Sequence, residues 1–243
     1  MRYLIKFSYD GTGFSGYQKQ PGERTVEGML ENALYNINNH TETRIFSSGR
    51  TDRGVHALGQ VAHFDIDVNI TLYKLKCALN SLLPEDIHVL STEIVDKNFH
   101  ARYNAISKTY IYKINVGEYS PIDRNHVYQY CKDLNFDNMR LAINDFLGEH
   151  DFKPFVSEEA IKSSYVRTIY SVDMKKEGDI ITISFTGNGF MKYQVRNMVG
   201  VLIKIGSGKL TTDSVKNILN GTMDKSKITT AKGSGLYLKE VVY

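Results

Sequence analysis

The chain has no tryptophan and only two cysteines, Cys77 and Cys131, which fall in separate elements. Two distant thiols make neither a disulfide framework nor a zinc-binding pair. No run of about 18 apolar residues occurs, so no membrane-spanning helix is expected. The opening stretch, MRYLIKFSYDG, reads as a strand entering a turn. It has no apolar core followed by a small-residue cleavage site, so the expectation is a cytoplasmic protein without a secretory leader. Charge of one sign is also scarce in excess. Thirty Lys and Arg against 27 Asp and Glu leave a net charge of +3. A phosphate-binding surface would therefore have to come from local clustering.

What is present is pattern. The 243 residues are 42% hydrophobic, enough for one large domain or two closely packed halves. Alternation marks strands: Tyr3, Ile5, Phe7 and Tyr9 share a face, as do Ala62, Phe64, Ile66 and Val68, with His63, Asp65 and Asp67 opposed. Tyr110, Tyr112, Ile114 and Val116 align in a third strand. VRTIYSVDMKKEGDIITISFTG reads as a hairpin turning near residues 177–179, and GLYLKEVVY as a closing strand.

Helical spacing falls between the strands. Thr25 caps a helix with Val26, Leu30, Ala33, Leu34 and Ile37 on one face. Leu72, Leu75, Leu79 and Leu82 form a second stripe, stopped by Pro84. FDNMRLAINDFLG is a third helix. FMKYQVRNMVGVLIKIGSG is a fourth, with Met191, Val195, Met198, Leu202 and Ile205 on one side, and TTDSVKNILNG is a fifth, capped near Thr212. Strands and helices mix without strict βαβ alternation, which predicts an α+β fold with a mostly antiparallel sheet. The expected division is 1–105 and 106–243, and GEYSPIDRN and KPFVSEEAIKSS are the longest polar loops.

Asp52 stands in SSGRTDRGVHALGQ between Arg50 and Arg53, with Gly49 and Gly54 at the loop ends. A turn carboxylate paired with either arginine is one reading. A catalytic group is the other, because the glycines permit close ligand approach and arginine charge keeps the carboxylate ionised. Arg196 lies in an otherwise apolar helix, and a cation there must find an anion, with Asp52 as one possibility. Gly200, one turn on, lets another element come close. Tyr110 reads either as a core aromatic or as a base-stacking platform. No two histidines have metal-ligand spacing on a helix, so no metal is expected. The glycines of YDGTGFSGYQ match no dinucleotide or phosphate-loop fingerprint, so no nucleotide cofactor is expected either.

Several blocks, in order along nearly the whole chain, resemble the TruA-type tRNA pseudouridine synthases: YDGTGFSGYQ, GRTDRGVHALGQVAHF, FHARYNAISKTYIYKI, GEHDFKPF, VRTI, GNGFMKYQVRNMVG and GLYLKEVVY. The resemblance implies two ferredoxin-like halves around a mostly antiparallel central sheet, with helices packed on it. It implies an isomerase that converts uridine to pseudouridine in the anticodon stem-loop of tRNA, at positions 38–40, as a homodimer and without any cofactor. Carried over position by position, Asp52 is the catalytic aspartate, Tyr110 stacks on the target uracil, Arg196 pairs with the aspartate and Leu236 lines the active-site wall. Arg50, Arg53, Arg102, Lys108, Lys153, Arg167 and Lys192 become RNA contacts. Arg53 replaces the usual small residue, Tyr17 stands where tryptophan is usual, and TAKGS lacks the family's proline, which leaves a synthase of the same family with a different RNA target as an alternative. Two other classes compete. One is an RNA-binding protein without turnover. The other is a glycosidase-like hydrolase, for which a second acidic loop motif is missing.

Overall fold

The computed structural model describes residues 1–156 and 164–243. Most of the polar loop expected at KPFVSEEAIKSS thus lies outside the described residues. The chain forms two compact units. One comprises Met1–Ile106 and Tyr237–Tyr243, and the other Ser107–Leu236. Both are α+β, and pairing within their sheets is mostly antiparallel.

The first unit runs β1 (Arg2–Tyr9), α1 (Val26–Ile37), β2 (Ile45–Ser47), β3 (His56–Asp65), α2 (Leu72–Leu82) and β4 (Ile87–Ile94), and is joined by β10 (Leu236–Val242). The strand order is β4-β1-β3-β10, with β2 added to β3. In register, Tyr3 faces Phe64, Ile5 faces Ala62 and Phe7 faces Gln60. This face is buried with Leu30, Ala33, Leu34, Leu75 and Leu79 of the two helices. Thr25 does cap α1, accepting from the Gly28 amide at 3.3 Å. Leu82 differs from the expected stripe, being 46% exposed at the end of α2.

The opposite face explains His63. It alternates away from Ala62 and Phe64 as expected, yet it is only 1% exposed. The turn after β4 covers it: the Ala101 amide donates to His63 Nδ1 at 3.1 Å, and the ring stacks on Phe46 at 5.2 Å and meets His100 at 4.7 Å. The Tyr243 hydroxyl donates to the Ala101 carbonyl at 2.7 Å, fixing that turn to the C-terminal segment.

The second unit contains β5 (Ser107–Asn115), β6 (Tyr128–Gln129), α3 (Phe136–Ala142), β7 (Gly148–Asp151), β8 (Val166–Glu177), β9 (Ile180–Gly187), α4 (Gln194–Gly206) and α5 (Ser214–Leu219). Its sheet order is β5-β9-β8-β7, with β6 parallel to β5. Tyr110 lies opposite Phe185, Tyr112 opposite Ile183 and Ile114 opposite Ile181. The expected hairpin is β8–β9, turning through Gly178 at φ +57°.

Three expected helices differ in detail. The third is α for seven residues and then tightens into a 3₁₀ turn, Ile143–Phe146. The fifth starts at Ser214 rather than being capped by Thr212, because the Thr211 carbonyl takes the Ser214 amide at 3.1 Å. The fourth starts at Gln194 rather than Phe190. It is buried nearly all round rather than along one side, so it is the core helix of its unit.

Burial pushes the His63 pKa down to about 4, with His100 and Arg2 adding to the effect. The unfolded imidazole, near 6.5, then binds a proton that the folded one does not. Stability is full above about pH 6.5 and falls as the pH drops towards 4, by up to about 3 kcal/mol. Urea melts between about pH 7 and about pH 4.5 should show this acid slope, and His63→Gln should flatten it. An unchanged slope in the variant would assign it to other groups.

Candidate active site

The loop 48–55 is seated on the first unit by bonds to both of its flanks. The Ser48 amide donates to Val61 O at 2.8 Å, and the Ser48 hydroxyl donates to Gln60 Oε1 at 2.8 Å. The Gln60 amide nitrogen returns to Gly49 O at 2.8 Å. Thr51 is held twice from the other side: its carbonyl accepts the Tyr17 amide at 3.0 Å, and its hydroxyl bonds the Tyr9 phenol at 2.8 Å. Burial pushes the Tyr9 phenol up to about 12, so it stays protonated. Asp52 comes next and is half-buried, between exposed Arg50 and Arg53. The Asp52 carbonyl accepts the Val55 amide at 3.2 Å, which closes the turn.

The glycines that matched no nucleotide fingerprint have their role here. A Cβ on Gly11 would lie 2.0 Å from Val55 O, so only glycine lets the 10–17 segment reach the Asp52 loop. His56 continues this contact. It is 1% exposed, its Nδ1 accepts the Gly11 amide at 3.1 Å, and its ring stacks on Tyr237 at 4.7 Å. Tyr17 is buried, and burial pushes its phenol well above the usual value. Of the other residues singled out in this unit, Arg102 is exposed in the turn after β4, with its guanidinium 5.9 Å from the Tyr103 ring.

In the second unit the segment 188–196 gathers most of the remaining residues. Tyr110 on β5 is 8% exposed and meets the Phe190 ring edge-on at 5.2 Å. Tyr193 is flanked by two cations, Lys192 Nζ at 5.2 Å and the Arg196 guanidinium at 5.0 Å from its ring centroid. Tyr193 has φ +65°, a left-handed conformation that stops α4 from starting earlier. Gln194 reinforces the stop by accepting the Met191 amide at 2.9 Å. Arg167 on β8 donates to Val166 O at 2.6 Å, and its Nε lies 3.9 Å from where a Cβ on Gly189 would sit. Lys108 is buried, Lys153 is exposed with Nζ 5.9 Å from the Tyr165 ring, and Leu236 is 5% exposed.

The residues assigned from sequence to one site are thus divided between the units. Phe190 and Tyr193 lie in the same stretch, GNGFMKYQVRNMVG, without a site role that the sequence alone assigns. Their roles depend on the sharp turn before α4, which helical spacing hid. The TAKGS stretch without a proline is held by hydrogen bonds instead, including Arg196 Nε to Ala231 O at 2.7 Å.

The family model described as tRNA pseudouridine synthase matches residues 5–104 and 142–243. The chain belongs to that family. The tRNA pseudouridine synthase A of Limosilactobacillus reuteri is 45% identical over 247 residues, covering 100% of this chain and 96% of the relative. That of Streptococcus uberis is 42% identical, covering 100% and 98%, and that of Streptococcus pyogenes serotype M49 is 43% identical, covering 100% and 99%. Family membership makes the chain an isomerase. Among the described residues, no helix is long and apolar enough to cross a membrane.

For a synthase of this family, the seat of the Asp52 loop is testable apart from the carboxylate itself. Gln60→Leu keeps the volume but leaves the Ser48 hydroxyl and Gly49 carbonyl without their partner. The cost should be about 1–3 kcal/mol in a urea melt, together with a lower kcat. Unchanged turnover in this variant would show that the loop holds its geometry without Gln60.

Proposed function

We propose that the chain is a cytoplasmic, homodimeric tRNA pseudouridine synthase that acts on the anticodon stem-loop, at positions 38–40, with Asp52 as the reacting carboxylate. The observation that carries this reading is a half-buried aspartate on a loop fixed from both flanks, within residues 5–104 matched by the family model. Isomerisation breaks the C1′–N1 bond, turns the uracil and rejoins it through C5. A base within a stem must first be flipped out. The carboxylate then either attacks C1′, displacing the uracil as an anion, and leaves again when C5 attacks C1′, or removes a proton at C2′ as the uracil anion departs and returns it to C2′ as C5 adds to C1′. After C5 bonds to C1′, the proton on C5 is lost and N1 gains one, so the reaction is redox-neutral and needs no cofactor.

In this reading Tyr110 offers its ring to the uracil, Leu236 forms apolar wall, and Arg196 is the counter-ion that keeps the carboxylate charged. Arg50, Arg53, Arg102, Lys108, Lys153, Arg167 and Lys192 supply phosphate contacts, which would make binding weaken as salt rises.

The test is tritium release from tRNA labelled at uracil C5. Asp52→Asn keeps the shape and removes the charge, so release should fall to background while tRNA binding persists. Wild-type release by this variant would refute the mechanism. Stacking is worth roughly 1–3 kcal/mol per base. Tyr110→Phe should therefore stay far more active than Tyr110→Ala, with thermal melts of both to separate the cavity made by Ala. Equal, severe loss in both would give the Tyr110 hydroxyl a part in the chemistry.

A further inference from the structure

Arg196 is held by more than its own helix. The strap of residues 228–235 crosses α4 at the turn that carries it. The Ala231 amide donates to Arg196 O at 3.1 Å, and Arg196 Nε donates back to Ala231 O at 2.7 Å. The two residues therefore exchange a pair of hydrogen bonds. On one side of that pair, the Thr230 hydroxyl donates to Asn197 Oδ1 at 2.6 Å. Asn197 is itself locked, since its Nδ2 donates to Phe155 O at 2.8 Å and the residue is 7% exposed. Further along, Lys204 Nζ donates to Lys227 O at 2.5 Å. At Gly200 the approach is closest: a Cβ there would lie 1.6 Å from Thr229 O.

An arginine side chain has about 2 kcal/mol of rotamer entropy to lose before its planar fork can meet a carboxylate. A bond from Nε to a fixed carbonyl sets the guanidinium plane, and so the direction of both Nη nitrogens. The Tyr193 ring at 5.0 Å adds a second constraint on the same plane. A strap needed only for stability could bond α4 anywhere, whereas this one places a carbonyl on the single side-chain nitrogen that orients the fork.

We propose that the strap is a positioning element for Arg196, and that Gly200 and Thr230 are positioning residues because they hold the Ala231 carbonyl in place. The inference rests on reading Arg196 as the counter-ion of the catalytic carboxylate. It adds that turnover depends on residues that bond neither RNA nor that carboxylate.

The test uses the full chain with Gly200→Ala, Thr230→Val, Thr230→Ser and Arg196→Ala. Tritium release gives kcat and KM for tRNA, thermal melts report folding, and the arginine ¹⁵Nε–¹Hε signal reports the Arg196–Ala231 bond. Gly200→Ala must shift the strap by more than 1 Å and should lower kcat about 100-fold with KM unchanged. Thr230→Val, which keeps the shape and removes the donor, should lower kcat about tenfold. Thr230→Ser should restore it. In the impaired variants the Arg196 Nε–H should exchange faster with water. If Gly200→Ala does not fold, Thr230→Val decides alone. Wild-type kcat in Thr230→Val, with its Arg196 signal lost and Arg196→Ala inactive, would overturn the strap's role while leaving that of Arg196 intact. Full turnover by Arg196→Ala would overturn the counter-ion reading, and the inference with it.

Discussion

The first unit depends on how Thr51 is held. One residue before Asp52, its carbonyl and its hydroxyl are bonded by the Tyr17 amide and the Tyr9 phenol. Both partners come from the chain's first strand and the loop after it, so a carboxylate on a loop inherits the rigidity of a sheet. A carboxylate fixed in this way would have little to reorganise if charge developed beside it. Tyr17 itself is buried, and burial pushes its phenol well up. Its ring lies 6.4 Å from that of Tyr9.

The second unit solves the same problem with a helix. Helix α4 is buried on almost every side, yet it carries an arginine near its start. Tyr193, in a left-handed conformation, ends the preceding turn and places its ring against that arginine. Such a backbone is disfavoured for a non-glycine residue and persists only where the surroundings over-determine it. Gln194 and the Met191 amide supply that determination.

Much of this was legible in the sequence. Two-residue alternation located β1, β3, β5 and the β8–β9 hairpin, because each strand has one face buried against helices or a neighbouring strand's side chains. Thr25 gave the start of α1 because its hydroxyl accepts the Gly28 amide, one of the donors left unpaired in a helix's first turn. The spacing around Gly200 correctly announced a close approach. What failed was local competition for hydrogen bonds. Met191 and Tyr193 continue the helical spacing of α4, but Gln194 captures the Met191 amide, so the spacing belongs to a turn. Thr212 resembles a cap, but Thr211 reaches the Ser214 amide first. His63 reads as an outward-facing polar residue, because alternation cannot show that the distant turn at 99–103 will cover it. The four-residue strand β7 was too brief to register as a pattern at all.

The parallel pairing of β10 with β3 sets Tyr237 against His56 and Leu238 against Ala57. This is where the Asp52 loop joins its strand. During synthesis, the first unit emerges without these residues and must wait for the whole of Ser107–Leu236 before they arrive. Until then β3 has an unpaired edge at that point, His56 has no ring stacked on it, and the turn over His63 lacks the Tyr243 bond. Unpaired strand edges invite pairing with other chains. The nascent protein thus has an interval of aggregation risk whose length is set by the translation time of the second unit, and the seat of the Asp52 loop is among the last parts to be finished.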